Sequence, residues 1–333
     1  MYRLLILLTL IMISNHTYAS YEGAQKIDGK FINIEPLPDK NFLALLEWKI
    51  RGIENSVSWP EKIKSSQFQP IAQRSDELII TVVNHATVLI QVDKINILTD
   101  PHFSLRASPL SFIGPKRVVK PGIALEDLPP IDIILISHNH YDHLDLKSLR
   151  TLSKKHKSKI YAGLETSKFL ESEKIKGSQD LDWWKSVNEG SLKITFVPAQ
   201  HWSALGLFDK REMLWGGFYI NGTRSVYFAG DTGYGTFFNL IKERLGVPEI
   251  SLLPIGAYEP RWFMKSAHMN PPEAIQAFKD LESYKMIGIH FGTFKLTDEG
   301  YSEPEEFLRK EIKKNSLDER LFIIPKFGRA IKI

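Results

Sequence analysis

The stretch Ser137-His138-Asn139-His140-Tyr141-Asp142-His143-Leu144-Asp145 decides how the rest of the chain is read. It follows the apolar run Ile133–Ile136 and precedes a helical pattern. Four side chains able to hold a metal ion, His138, His140, Asp142 and His143, fall within six positions. With ten histidines in 333 residues, three in six positions is a dense cluster. Imidazole nitrogen and carboxylate oxygen suit Zn²⁺ and similar borderline cations. Residues two apart on a chain leaving a strand point the same way, so His138 and His140 can meet on one ion. Asp142 and His143 follow the turn and can serve a second ion beside the first.

The whole chain sets the bounds. Its length allows one large or two ordinary domains, and its composition, 43% hydrophobic and 25% charged, is that of a globular protein with a substantial core. A formal net charge of +4 lacks the strong basic stripe of a nucleic-acid binder, so no nucleic-acid partner is expected. There is no cysteine, which excludes disulfides, a thiolate zinc site and a cysteine nucleophile.

Residues 1–19 read as a signal peptide: Arg3, an apolar core over 4–13, then Thr17-Tyr18-Ala19 as a small-x-small cleavage site. The apolar run is short for a transmembrane helix. The chain is therefore expected to be exported, to the periplasm or outside, and to touch membranes only peripherally. Residues 20–76 read as an N-terminal extension. Within them, 42–50 is an amphipathic helical stretch expected to pack on the domain, with a membrane surface as the alternative. Residues 77–333 form the catalytic domain.

From residue 78 the pattern is that of strands: 78–83, Thr87–Val92 and 95–98, with Asp93-Lys94 as a tight turn. His85 lies between the first two and reads as a hydrogen-bonding structural residue. Asp100, at the end of the third, is placed to orient a ligand histidine. Residues 101–130 make a long loop, where Lys116, Arg117 and Lys120 either meet an anionic head group or form a solvated basic edge.

Asp145 caps a helix with Leu146, Leu149 and Leu152 on one face. Further strands are read at Lys159–Gly163, Leu192–Val197, 213–220, 225–229, 250–255, 286–289, 321–324 and 330–333. Asn221-Gly222 signals a hairpin, which also accounts for the sequon Asn221-Gly222-Thr223. Asn270-Pro271-Pro272-Glu273 starts a helix.

The metal-competent residues at strand ends are His138, His140, Asp142, His143, His201, Asp231 and His290. Seven ligands exceed one tetrahedral zinc and suit two that share a carboxylate. Strands alternating with helices, with each ligand at a strand end, predict two sheets with outer helices and the site at one sheet edge.

The spacing His-x-His-x-Asp-His resembles the metallo-β-lactamase superfamily, whose fold is an αββα sandwich of two mixed sheets. That resemblance pairs His138, His140 and His201 on one zinc and Asp142, His143 and His290 on the other. It makes Asp231 the bridge, opposite a bridging hydroxide. It also assigns chemistry to Asp142, His143 and Asp231, with Asp142 either taking a proton from water or only holding its metal.

Within the superfamily the chain is most similar to the N-acylphosphatidylethanolamine-hydrolysing phospholipase D family. The likeness runs through Ser108-Pro109, Gly114-Pro115-Lys116-Arg117, Leu128-Pro129-Pro130-Ile131-Asp132, Leu181-Asp182-Trp183-Trp184, Gln200-His201-Trp202 and Ala229-Gly230-Asp231-Thr232-Gly233-Tyr234. The block Pro254-Ile255-Gly256-Ala257-Tyr258-Glu259-Pro260-Arg261-Trp262-Phe263-Met264-Lys265 is its most specific part, because metal binding does not demand it. The family carries Gln-Tyr in place of Ser111-Phe112, Gln in place of Ala267, and Gly in place of Asn84.

The resemblance implies a dinuclear zinc phosphodiesterase that releases an N-acylethanolamine and phosphatidic acid. Its partners would be a phospholipid, a membrane surface and, in a homodimer, a second copy. Lys116, Arg117, Phe112, Tyr258, Arg261, Trp262 and His268 are the expected substrate-binding residues. The rival readings are a lactonase-like hydrolase of the same fold and a metal-binding non-hydrolase. A flavin-coupled oxidoreductase lacks its Gly-rich strand–turn–helix fingerprint here.

Overall fold

The computed structural model describes residues 22–37, 40, 42–54, 57–64, 71–206 and 208–333; the expected signal peptide lies outside the described residues. A short hairpin, β1 (Lys26–Ile27) and β2 (Lys30–Phe31), opens the described chain. Helix α1 (Phe42–Glu54) follows. Among the described residues, no helix is long and apolar enough to cross a membrane.

The first sheet is built from β3 (Ile79–Asn84), β4 (Thr87–Val92), β5 (Ile95–Thr99), β6 (Ile133–Ile136), β7 (Lys159–Gly163) and β8 (Ser178–Leu181), with β16 (Ile331–Lys332) on its edge, in the order β16-β3-β4-β5-β6-β7-β8. The second comprises β9 (Ser186–Glu189), β10 (Leu192–Val197), β11 (Gly217–Asn221), β12 (Ser225–Phe228), β13 (Ile250–Pro254), β14 (Lys285–Ile289) and β15 (Phe322–Ile323), in the order β15-β14-β13-β12-β11-β10-β9. Each sheet is half antiparallel and half parallel. The change falls at β5–β6 in one and at β12–β13 in the other.

Both faces of the central strands are covered, which explains why they read as continuous apolar runs. In β6, Ile133 and Leu135 join the core between the sheets, while Ile134 and Ile136 face outward. In β12, Val226 and Phe228 point inward and Tyr227 outward. Helices α2 (Leu146–His156) and α3 (Thr166–Ser172) follow β6 and β7 and cover the first sheet, Leu149, Leu152 and Leu170 being buried there. Helices α4 (Phe237–Leu245), α6 (Pro271–Leu281) and α7 (Glu303–Lys314) cover the second through Phe237, Ile275, Phe278 and Leu308. A single turn, α5 (Arg261–Met264), precedes α6. The result is the αββα sandwich of two mixed sheets.

Local signals were honoured where backbone chemistry is restrictive. Asp93 and Lys94 sit at φ 52° and 62°, the pair of positive values that a two-residue hairpin turn needs. Asn270 caps α6 in a reciprocal capping box with Glu273, with Pro271 in the first turn. The Asn221-Gly222 turn is longer than a two-residue one, because Asn221 pairs with Ser225 and Thr223 bends onto Asp93. β8, β9 and the helices α3, α4 and α7 went unread in the sequence. β8 and β9 are polar edge strands, without an apolar run to mark them.

Candidate metal centre

Every residue of the expected ligand set lies just past a strand at one edge of the sandwich. His138, His140, Asp142 and His143 follow β6; His201 follows β10, Asp231 follows β12 and His290 follows β14. The first four come from one sheet and the last three from the other. Close backbone approach makes this possible. Gly230, at φ +63°, brings the Asp231 turn against Ser137, and a Cβ there would lie 2.6 Å from the Ser137 Cβ. Gly256 passes the His290 turn in the same way, a Cβ there falling 2.3 Å from the His290 carbonyl oxygen.

Two groups of ligand atoms result. His138 Nε2 lies 2.9 Å and His201 Nε2 3.2 Å from His140 Nδ1. Around Asp142 Oδ2 stand His290 Nε2 at 3.2 Å, His143 Nε2 at 3.3 Å and His85 Nε2 at 3.0 Å. Asp231 reaches toward both ligand groups: its Oδ1 is 3.1 Å from His290 Nε2, and its Oδ2 is 3.3 Å from His143 Nε2 and 3.9 Å from His201 Nε2.

His85, read from the sequence as a hydrogen-bonding residue rather than a metal ligand, bonds Asp142 and stands within the cluster. The β3–β4 connection opens at the same sheet edge, so its ring joins Asp142, His143 and His290, with the His290 ring centroid 4.0 Å away. Its carbonyl also accepts the His290 backbone N–H, tying the two turns together. Its place between two strands at the ligand edge was the available sequence signal.

The surroundings orient the rings. Asp100, fully buried, accepts from His143 Nδ1 at 2.7 Å, from Ser137 Oγ at 2.6 Å and from Ser137 N at 2.7 Å. Ser137 Oγ is in turn 2.9 Å from His138 Nδ1. His201 Nδ1 donates to the Ala267 carbonyl at 2.9 Å, leaving Nε2 for the cluster. Ala267 therefore acts here through its backbone, which a Gln at that position would also supply.

Burial, then the neighbouring histidines, hold His138 well below the usual range. Burial is also the chief cause that lowers His201 to about 3 and His140 to about 4, so these rings are neutral ligands. Burial opposes charge on His290 too, but the Asp231 and Asp142 carboxylates outweigh it and raise this ring to about 9. The same acids raise His143. The pair Asp142 and Asp231 thus favours positive charge between them.

The donor set fits a metal. His140 Nε2, His143 Nε2 and Asp231 Oδ1 are buried with no hydrogen-bond partner. His140 Nδ1 carries at most one proton for the two imidazole nitrogens that face it, so a cation among the three meets what one hydrogen bond cannot.

The expected substrate-binding residues divide. His268 enters the cluster itself, its Nδ1 3.7 Å from Asp231 Oδ2 beside His201. Trp262 and Phe112 are exposed, at 48% and 75%. Arg261 is committed to the Glu273 carboxylate and the His268 carbonyl, holding its loop. Two readings are corrected. Arg117 is turned inward, donating to the carbonyls of Ser104 and His102 and closing the loop as a structural cation. Tyr258 is fully buried and directs its hydroxyl to Glu303. Lys116 remains on the loop.

Comparison with known proteins gives the class and then the family. A family model described as a beta-lactamase superfamily domain matches residues 95–291. The chain is 40% identical over 246 residues to the N-acyl-phosphatidylethanolamine-hydrolyzing phospholipase D 1 of Caenorhabditis elegans, covering 70% of this chain and 69% of that one. It is 33% identical over 295 residues to an uncharacterized protein of Mycobacterium tuberculosis, covering 84% and 77%. A solved structure from Veillonella parvula, that of a "possible metal-dependent hydrolase", shares the fold at a TM-score of 0.63 and 18% identity, over 77% of this chain and all of that one. The protein is a metal-dependent hydrolase of the metallo-β-lactamase fold. The chain belongs to the metallo-β-lactamase superfamily.

Proposed function

We propose that this hydrolase is a dinuclear zinc phosphodiesterase of phospholipase D type, cleaving N-acylphosphatidylethanolamine to N-acylethanolamine and phosphatidic acid. The observation that carries the reading is the 40% identity to a curated enzyme of that name over 246 residues, 70% of this chain.

The residues present would hold two ions: His138, His140 and His201 for one, Asp142, His143 and His290 with His85 beside them for the other, and Asp231 between. Bound there, a pair of Zn²⁺ supplies Lewis acidity toward a phosphoryl oxygen and water activated near neutral pH. The chain's residues do the rest. Asp100 and Ser137 fix the rings of His143 and His138. His268, at the rim of the cluster, is placed to hydrogen-bond a phosphoryl oxygen. The oxygen of water becomes bonded to phosphorus, the bond from phosphorus to the ethanolamine oxygen breaks, and that oxygen leaves with a proton. In this reading Asp142, which faces three histidines of the cluster, takes the proton from water.

Exposed apolar side chains around the loops at this edge, Leu105, Phe112, Ile113, Phe208 and Trp262, suit acyl chains and peripheral contact with a lipid surface. The test is incubation of the purified protein with a defined N-acylphosphatidylethanolamine in detergent micelles, with and without chelator, with products read by mass spectrometry. Chelator-sensitive release of both products is expected. A metal-loaded protein that leaves the lipid intact would keep the hydrolase and remove this substrate, turning attention to a lactonase-like one.

A further inference from the structure

Beside the metal centre, but not part of it, lies a groove of about 650 Å³ between α1, α5 and the turns that follow β10 and β12. Its walls carry Leu37, Lys40, Ala44, Arg261, Trp262 and Lys265. Lys40 lies outside the part of the chain that matches the family model. Its Nζ stands 4.5 Å over the Phe263 ring, and the residue is half-buried. Among the described residues, the charged groups that shift it, Lys210 and Arg261, are cations. Burial first, and then these two neighbours, bring its pKa from 10.5 down to about 8. A cation so placed gains from an incoming anion.

Among the described residues, the two carboxylates at the groove have other partners. Glu35 Oε1 accepts from the Thr236 backbone and hydroxyl, and Glu273 holds the Arg261 guanidinium. Lys265 adds a second ammonium, this one exposed. The walls also carry apolar side chains, Leu37, Ala44 and the half-exposed Trp262, and the outward face of α1 presents Leu43, Leu46 and Ile50 to solvent. Cations and apolar side chains in the same walls match a phosphate group with hydrocarbon attached, rather than a free polar anion.

We propose that this groove is a second anion site, with Lys40 and Lys265 binding the phosphate headgroup of an anionic phospholipid other than the molecule over the metals. The inference rests on the lipid substrate read above and extends it to how the enzyme sits on its substrate's surface. The headgroup has two sources, a phosphate monoester such as phosphatidic acid, which is the product class, or a phosphodiester such as phosphatidylglycerol.

The experiment is co-sedimentation of the metal-loaded full chain with vesicles of phosphatidylcholine alone, with phosphatidic acid, or with phosphatidylglycerol. Four proteins are compared: wild type, Lys40→Gln, Lys40→Arg and Lys176→Gln. The last removes the same charge from an exposed site at the start of β8, the end of the sheet away from the metal centre. Wild type and Lys40→Arg are expected to favour anionic vesicles, Lys40→Gln to bind them about tenfold more weakly, and Lys176→Gln to resemble wild type. A preference for one anionic lipid over the other identifies the source. Equal binding by wild type and Lys40→Gln, or an equal loss in Lys176→Gln, overturns the site. Because sedimentation reads no turnover, a protein that binds in this pattern yet does not cleave N-acylphosphatidylethanolamine would refute the substrate and keep the groove.

Discussion

Asp100 Oδ2 lies 2.7 Å from His143 Nδ1, and both side chains are fully buried. The same carboxylate oxygen reaches His138 through Ser137 Oγ, so one acid sets the tautomers of two ligand rings on the first sheet. Each ring is thereby made to present Nε2 to the cluster. Asp100→Asn keeps the shape and loses the charge. It is expected to weaken metal affinity by about 10–100-fold, as for other carboxylates behind ligand histidines. Metal content after dialysis against graded chelator measures this; unchanged affinity would remove Asp100 from that role.

His290→Ala deletes a ring that faces both Asp142 and Asp231. It is expected to retain about one metal per chain rather than two and to lose hydrolysis, since each ion of a dinuclear site needs its own ligands. His85→Ala should weaken the same ion without abolishing it, because Asp142, His143 and His290 remain. Elemental analysis of the two variants separates the effects, and full occupancy in His290→Ala would contradict the grouping.

Asn270 accepts from Glu273 N at 3.1 Å, and Glu273 reaches back to Asn270 N while also holding Arg261. Asn270→Ala removes the cap of α6 and is expected to cost about 1 kcal/mol of stability. The same helix entry positions the His268 carbonyl through Arg261. Urea denaturation gives the stability change, with a lower midpoint and the same slope expected.

Lys40 titrates at about 8 in the folded chain, against 10.5 for an unperturbed lysine. Binding to anionic vesicles is therefore expected to weaken as pH rises through about 8. Stability moves the other way. Between about 8 and 10.5 the unfolded chain holds a proton that the folded chain has lost, so this lysine's unfavourable contribution, complete below about 8, is relieved as pH rises. Vesicle sedimentation across this range checks the first effect, and Lys40→Gln should flatten it.

Most of the candidate metal centre was legible in the sequence because each of its residues is marked by two things at once: a metal-competent side chain and an apolar strand just before it. His138 after Ile133–Ile136 and His201 after Leu192–Val197 are the plainest cases. His85 carried the same marks but stood alone between two strands, with nothing local to say that His290 would pack 4.0 Å from it. The pairing depends on how the two sheets dock.

Charge was the least legible property. Arg117 sits in a basic, loop-like stretch, yet its fate was decided by the carbonyls of His102 and Ser104, which a linear reading cannot place around it. Lys40 shows the converse, an unremarked residue in an irregular segment that the fold lays against Phe263. The stretch 42–50 is helical, within α1. It packs on the domain through Trp48, whose Nε1 donates to Asp298, but Leu43, Leu46 and Ile50 face outward, where the amphipathic pattern predicted polar residues.

The ligands are divided between two sheets that touch at Gly230 and Ser137. An ion held by His138, His140 and His201, or by Asp142, His143 and His290, is therefore a clasp between two halves of the molecule. Metal affinity and the docking of the halves are then one thermodynamic quantity seen from two ends. A cavity opened deep between the sheets, as by Phe196→Ala, would loosen the grip on metal without touching a ligand, and chelation would lower the melting temperature of a core that contains no metal ligand at all.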